Sequence, residues 1–446
     1  MTVFNEIKEM TPMVVDDLQA DESGVSQDKL QLLKNKLASK EKEMTIKVID
    51  KKTRSLRLGI IGSGQAGSRI AETFYKLGYE AVAINTAPQD LEFIDLPQDN
   101  KLLLSYGVGG ASKELTIGHE AAEQYKDDIY ALIEGKLSGS QMLVLCFSLG
   151  GGSGAGSAET LINLLATIGK PVIVITVLPM NNDDAHAKRN ALETLSKLAK
   201  EVQNKKIANL IVVDNAKIEV IYSNVSQIDF FNVSNKIIVE PIDAFNSLSA
   251  MPSFSKALDP MELTKILVDG EGLTVFGEFA VHNYEEDVAI AEAVVNNLSN
   301  NLLAEGFDLK QTKYVGVILT APKSVWDKIP SSSINYCMSM VQDLCGVPNG
   351  IFKGMYVTQS DEDCVKVYSI FSGLGLPESR VSQLKKEVQE HSGKTKSKVE
   401  ERSLSLRLDT GTDETISAAD KIKQKIAAKK STFGNFVSSS VQDKRK

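Results

Sequence analysis

The chain has 446 residues, 58 of them acidic and 50 basic, for a formal net charge of −8, and 42% are hydrophobic. That length accommodates two globular domains plus tails, and the acidic balance excludes a surface that grips nucleic acid throughout. No run approaches the roughly 18 uncharged apolar residues of a membrane span, which excludes a helical membrane protein.

From the beginning of the chain, MTVFNEIKEMTPM lacks the basic-then-apolar order of a secretory signal, so a cytoplasmic protein with no membrane partner is expected. Residues 1–54 read as a polar, partly helical extension, with one heptad-like patch at Leu30, Leu33 and Leu37. The dense apolar pattern starts at Leu56. LRLGIIG, GSRIAETFYKLGY, EAVAINT, MLVLCFS, PVIVITVLP and NLIVVDN then alternate strands with helices, which predicts a doubly wound parallel sheet over 55–229 with ligands at the carboxyl ends of its strands. A connecting helix is expected over 230–250, with Pro241 positioned to kink or break it. LTVFGEFAVH, DVAIAEAVVNNLSNNLL, KYVGVILTAP, INYCMSMVQDLC, GIFKGMYVTQ and CVKVYSIFSG make a second, smaller α/β domain over 251–376. A helix around SRVSQLKKEVQEH and a polar tail expected to be disordered complete the chain over 377–446. Cys146, Cys337, Cys345 and Cys364 form no CxxC pair, so they read as buried free thiols and no protein-held metal is expected.

Two glycine-rich turns carry the chemistry. Gly62-Ser63-Gly64-Gln65-Ala66-Gly67 has the GxGxxG form, yet Asn85-Thr86 stands where a dinucleotide site wants a carboxylate for the ribose. The second, Gly150 to Gly156, places five glycines within seven residues ahead of a helix read from Ala158, and it lacks the lysine of a Walker A loop. Both turns suit a phosphate cradle built from backbone amides at helix N-termini, with a bound cation supplying the missing charge. Simple strand-to-helix connection is the plainer alternative.

The order GSGQAGSRI, NTAPQDL, YGVGGASKE, SLGGGSGAGS, VVDNAKI resembles the tubulin/FtsZ superfamily of polymerising GTPases, in the mixed form of the plasmid and bacteriophage tubulins, the TubZ and PhuZ group. The resemblance covers about residues 55 to 375. It implies GTP with Mg2+ as cofactors. It places Gly64, Gln65 and Ala66 in the first phosphate loop, and Gly109, Gly110 and Ala111 in a loop facing the γ-phosphate. Ser148, Gly150, Gly151, Gly152, Ser153 and Gly154 would surround the α- and β-phosphates. Asp183 or its neighbour Asp184 would face the ribose, Asn215 and Asn235 would read the guanine edge, and Phe231 would stack on the base. The spacing of Phe231 and Asn235 puts both on one helix face. The bland alternatives are a turn or cap role for an Asn and a core role for Phe231.

In Ala257-Leu258-Asp259-Pro260-Met261-Glu262 the resemblance implies that Asp259 and Glu262 enter the next subunit's nucleotide and position the attacking water, with Ala257 where the family has Asn. Asp259, Pro260 and Glu262 equally spell a helix-opening capping box. A site split between subunits makes the protein its own head-to-tail partner. The segment 421–446 carries eight basic residues against one acid, a net +7, which suits DNA, a DNA-bound adaptor or a phage particle, or a merely solvated tail. Three readings stand: a filament-forming GTPase for DNA segregation or phage-particle positioning, a non-hydrolysing structural paralogue, and a dinucleotide-dependent enzyme.

Overall fold

The computed structural model describes residues 53–286, 288–300, 307–346 and 348–405. The leucine patch at 30–37 and the basic segment 421–446 lie outside them. Six strands open the sheet: β1 (Leu58–Ser63), β2 (Glu80–Asn85), β3 (Lys101–Leu103), β4 (Met142–Ser148), β5 (Val172–Leu178) and β6 (Asn209–Asp214). They are parallel in the order β3-β2-β1-β4-β5-β6. Each of β1, β4, β5 and β6 is an apolar run buried almost end to end, as a parallel strand covered on both faces must be.

Helices α1 (Gly64–Lys76) and α2 (Pro88–Glu92) follow β1 and β2. Between β3 and β4 stand α3 (Leu115–Gln124) and α4 (Lys126–Leu137). α5 (Gly152–Ile168), α6 (Ala185–Gln203) and α7 (Asn215–Ile221) follow β4, β5 and β6. Alternating strand residues feed two apolar layers. Ile61, Leu143, Leu145 and Phe147 pack with Ile129 and Ile133 of α4, Leu161 and Leu165 of α5 and Leu195 of α6. Ile60, Ala83 and Val144 pack on the other face with Ile70 and Phe74 of α1.

The connecting helix α8 (Gln227–Leu248) runs without a break through Pro241. The proline forfeits one backbone bond at about 3 kcal/mol. Ile238, Val239, Ile242 and Phe245 are all buried in the second layer, and at about 1.5–3 kcal/mol each they outweigh that loss. The same helix anchors the start of β1: Asn246 Nδ2 donates to the Leu56 carbonyl at 2.9 Å and its Oδ1 accepts from the Leu56 amide at 2.8 Å.

The second half comprises α9 (Pro260–Thr264) with a π-helical turn Lys265–Asp269, then β7 (Gly272–Val281), α10 (Ala289–Asn300), β8 (Tyr314–Pro322), α11 (Lys323–Trp326), α12 (Ser331–Cys345), β9 (Gly350–Thr358) and β10 (Val365–Leu374). Its strands extend the first sheet instead of forming another. β7 pairs with β6 through Asn209↔Gly272 and Leu210↔Leu273, and the order continues β7-β10-β8-β9, making one ten-stranded sheet. β10 is antiparallel to both of its neighbours. The last described helix, α13 (Glu378–Ser405), is longer than the stretch read from the sequence. The described residues through Val388 belong to one compact unit. Among the described residues no helix is long and apolar enough to cross a membrane, and all four cysteines are buried free thiols.

Candidate nucleotide site

The two glycine turns meet at the carboxyl ends of β1 and β4. Gly64 opens α1 at φ +69°, a left-handed conformation suited to glycine, and a Cβ there would stand 2.9 Å from the Gly154 amide nitrogen. A Cβ on Gly154 would stand 2.8 Å from the Ser63 carbonyl oxygen. The first turns of α1 and α5 are therefore in backbone contact. Neither N-cap residue, Ser63 or Gly151, makes a side-chain cap bond. Two helix N-termini thus pool uncapped amides and two fractional positive charges in one place, which fits a polyphosphate. Flanking hydroxyls brace the loops: Ser63 pairs with Ser157 at 2.7 Å and Ser153 with Thr86 at 2.6 Å. Gln65 Nε2 reaches Asp90 at 3.0 Å, and Asn85 reaches the same carboxylate at 3.1 Å. Ala66 is half-buried beside Gln65, and Ser148 Oγ would lie 3.1 Å from a Cβ on Gly151.

α5 begins at Gly152, six residues before the Ala158 start read from the sequence. The reason is packing. A Cβ on Gly152 would meet the Ala111 side chain at 2.8 Å, and one on Gly156 would meet the Leu115 carbonyl at 2.4 Å. One on Gly118 of α3 would meet the Gly152 carbonyl at 2.2 Å. Three of the five glycines therefore lie inside the helix and admit neighbouring backbone; the other two, Gly150 and Gly151, make the turn.

The loop bearing Gly109, Gly110 and Ala111 closes over this corner. Gly107, Gly109, Gly110, Ser112 and Lys113 all have positive φ, and Gly110 N donates to the Thr86 carbonyl at 2.9 Å. Asn190 of α6 donates to the carbonyls of Lys113 at 2.6 Å and Gly150 at 3.3 Å, which fixes the Lys113 backbone against the second glycine turn. The Lys113 ammonium meets Asp184 at 2.5 Å. The Lys113 side chain therefore answers the carboxylate that opens α6.

The two candidate ribose carboxylates have different local bonds. Asp183 Oδ2 accepts from Met180 N at 2.8 Å and closes the turn after β5. Asp184 Oδ1 accepts from Ala187 N at 2.9 Å as the N-cap of α6. The Lys113 hydrogen bond, helped by the Ala187 amide, holds the Asp184 carboxyl below its ordinary range. Asn215 is the first residue of α7, whose N-cap, Asp214, accepts from Ala216 N at 3.1 Å. Burial pushes the Asp214 carboxyl up, opposed by Arg380. On α8, Asn235 is buried while Phe231 is 40% exposed, so Phe231 is not a core residue. The Arg69 guanidinium of α1 sits 5.5 Å above the Phe231 ring centroid.

Asp259 and Glu262 form the complete capping box. Asp259 Oδ1 accepts from Glu262 N at 2.8 Å and Glu262 Oε2 accepts from Asp259 N at 3.1 Å. Between them Met261 is 67% exposed. The turn is seated by Leu258, fully buried, whose amide donates to the Tyr356 hydroxyl at 3.1 Å. Burial pushes that hydroxyl up to about 12. The helix that follows ends at the amino edge of the sheet: Asn209, the first residue of β6, donates to the Leu267 carbonyl at 3.2 Å. The two glycine turns occupy the opposite, carboxyl edge of β1 and β4. Among the described residues no three His, Cys, Asp or Glu side chains converge as a metal site. A magnesium ion held chiefly by phosphate oxygens and water, its usual mode beside a nucleotide, needs no such cage.

Residues 57–223 match the family model for the tubulin/FtsZ family GTPase domain, and residues 245–385 match the C-terminal domain of tubulin/FtsZ-like, TubZ-like proteins. The chain is a member of the tubulin/FtsZ family. Within that family it is 27% identical over 333 residues to the tubulin-like protein CetZ of Pyrococcus abyssi, covering 72% of this chain and 86% of the relative. It is 23% identical over 363 residues to the tubulin-like protein TubZ of Bacillus cereus, covering 75% and 82%. Among solved structures of the family, the GTPγS-form protofilament of Bacillus thuringiensis serovar israelensis TubZ superposes with TM-score 0.72 at 19% identity, over 80% of this chain and 97% of that one. The GDP-bound CetZ1 monomer of Haloferax volcanii superposes with TM-score 0.60 at 21% identity, over 76% and 100%.

Proposed function

We propose that this chain is a GTPase that polymerises head to tail, with GTP and Mg2+ bound by one subunit and hydrolysed with the help of the next, in a filament that segregates DNA or positions phage particles in the cytoplasm. The observation that carries this reading is the separation of the two halves of the chemistry. The amide-rich cradle stands at the carboxyl ends of β1 and β4, whereas the exposed Asp259–Glu262 turn is seated on Tyr356 of β9, the strand at the other end of the sheet order. A subunit that offers this turn to the cradle of the next uses two different surfaces, and repetition of such a heterologous contact runs on as a filament. In this scheme Gly64, Gln65, Ala66, Gly109 to Ala111 and Ser148 to Gly154 hold the phosphates. Asp183 meets the ribose, and Asn215, Phe231 and Asn235 hold the base. Asp259 and Glu262 orient the water in line with the γ-phosphate. The family membership and the protofilament form of the TubZ neighbour support self-assembly; the basic segment 421–446 is the proposed grip on DNA, an adaptor or a phage particle.

Light scattering with GTP, GDP or ATP, with phosphate release followed in the same sample as protein concentration is raised, tests the reading. GTP-specific scattering above a critical concentration, with hydrolysis appearing only above it, is expected. Hydrolysis that is proportional to protein at all concentrations, without assembly, overturns it.

A further inference from the structure

Behind the nucleoside half of the site runs a chain of alternating charges, buried except at Glu387, that begins outside the GTPase domain. Arg380, in the first turn of α13, is 4% exposed, and its Nε lies 2.9 Å from Asp214 Oδ2. Its Nη2 donates to the Pro179 carbonyl at 3.2 Å, and its Nη1 lies 3.9 Å from Glu387. Glu387 in turn lies 2.8 Å from the Lys188 ammonium, which donates to the Asn181 carbonyl at 2.7 Å. Pro179 and Asn181 belong to the turn that presents Asp183, and Asp214 caps the helix that begins with Asn215. One helix near the end of the compact unit therefore touches both the ribose turn and the base turn.

We infer that Arg380 and Glu387 are positioning residues for the nucleoside half of the nucleotide site, setting guanosine affinity and base preference without touching the phosphates. The inference rests on the nucleotide reading given above. Asp214 is buried with Arg380 as its cationic partner, and a buried carboxylate deprived of its counter-charge reorients or takes up a proton. Either event slackens the cap on Ala216 and with it the backbone that aims Asn215. Loss of the Pro179 contact frees the ribose turn in the same stroke. A site whose loops must then be ordered by the ligand binds it more weakly. The phosphate cradle is held by other contacts, among Gly64, Gly154, Thr86 and Ser153, and is expected to stay intact.

The test uses the full chain, with GTP, ATP and inorganic tripolyphosphate as probes in direct binding measurements. Arg380→Gln is expected to lower GTP affinity about tenfold and to narrow the preference for GTP over ATP, with tripolyphosphate affinity unchanged. Arg380→Lys, which keeps the charge but loses the planar fork, is expected to recover part of the loss. Equal losses for GTP and tripolyphosphate, as a merely structural role would give, overturn the inference, as does unchanged GTP binding. Should Arg380→Gln fail to fold, Glu387→Gln carries the same test at a side chain that is 26% exposed: a GTP-selective loss supports the inference and its absence overturns it. Wild-type protein that binds none of the three probes overturns the nucleotide reading itself, whereas wild type and variants that bind GTP alike overturn this inference alone.

Discussion

Asp259 and Glu262 each hold the other's backbone amide, at 2.8 and 3.1 Å, so the two carboxylates proposed to act on a neighbour's nucleotide also start their own helix. The roles separate by substitution. Asn caps nearly as well as Asp and Gln replaces Glu in a capping box, so Asp259→Asn and Glu262→Gln are expected to melt close to wild type while forming filaments that release phosphate at a small fraction of the normal rate. Asp259→Ala should in addition cost about 1 kcal/mol in denaturant unfolding. Normal phosphate release by filaments of all three variants would leave the carboxylates with the capping role alone.

The contact of α3 on α5 gives a prediction of opposite sign at two glycines. A Cβ on Gly118 would stand 2.2 Å from the Gly152 carbonyl oxygen, whereas Gly135 in α4 has nothing within 4 Å. Gly118→Ala is expected to destabilise by about 1–3 kcal/mol through overpacking and to weaken GTP binding by pushing Gly152 out of the cradle. Gly135→Ala is expected to stabilise by about 0.5–1 kcal/mol through helix propensity. Urea unfolding of the two variants measures both.

Lys113 holds the Asp184 carboxyl below its ordinary value. A depressed carboxylate contributes stability above its unfolded pKa, and that contribution is lost as pH falls through the folded value. Lys113→Ala should return Asp184 toward 3.8, the ordinary value, in a carbon-detected NMR titration, and should flatten the acid limb of the stability profile below that pH.

All four cysteines are buried, and burial pushes the Cys337 thiol up to about 12. Thiolate is the reactive form, so a thiol reagent at pH 8 should label the native protein slowly and all four positions at once on addition of denaturant. Fast stoichiometric labelling of native protein would contradict the burial of at least one of them.

Much of this fold is legible in the chain because parallel strands covered on both faces appear as continuous apolar runs: IIGS, MLVLCFS and PVIVITVL stand out against any surroundings. α3 and α4 escape such a reading. Their inner faces rely on Gly118, Ala121 and Ala122 as much as on Ile129 and Ile133, and small residues that allow close backbone approach leave little hydrophobic periodicity. The glycine string signals a cradle, but which glycines face a ligand and which admit a neighbouring helix depends on Leu115 and Ala111, far from the motif. The charge chain is the least legible feature, since Arg380 and the Pro179 carbonyl it holds are 201 positions apart. Local spacing carries no trace of such a pairing.

The place of β10 bears on how the molecule is made. The strands through β6 have their partners as soon as residue 214 is available, so the first half can collapse while synthesis continues, in the manner of N-terminal units. The second half has no such freedom. β7 and β8 do not pair with each other; β8 has β9 on one side, but β10 must join the β8–β9 pair to β7, and β7 meets the earlier sheet through only Asn209↔Gly272 and Leu210↔Leu273. Until Val365–Leu374 slots between them, two long apolar edges stand open to any other strand in reach. The strand made last locks the sheet, and a ribosome that stalls before it releases a chain primed to aggregate.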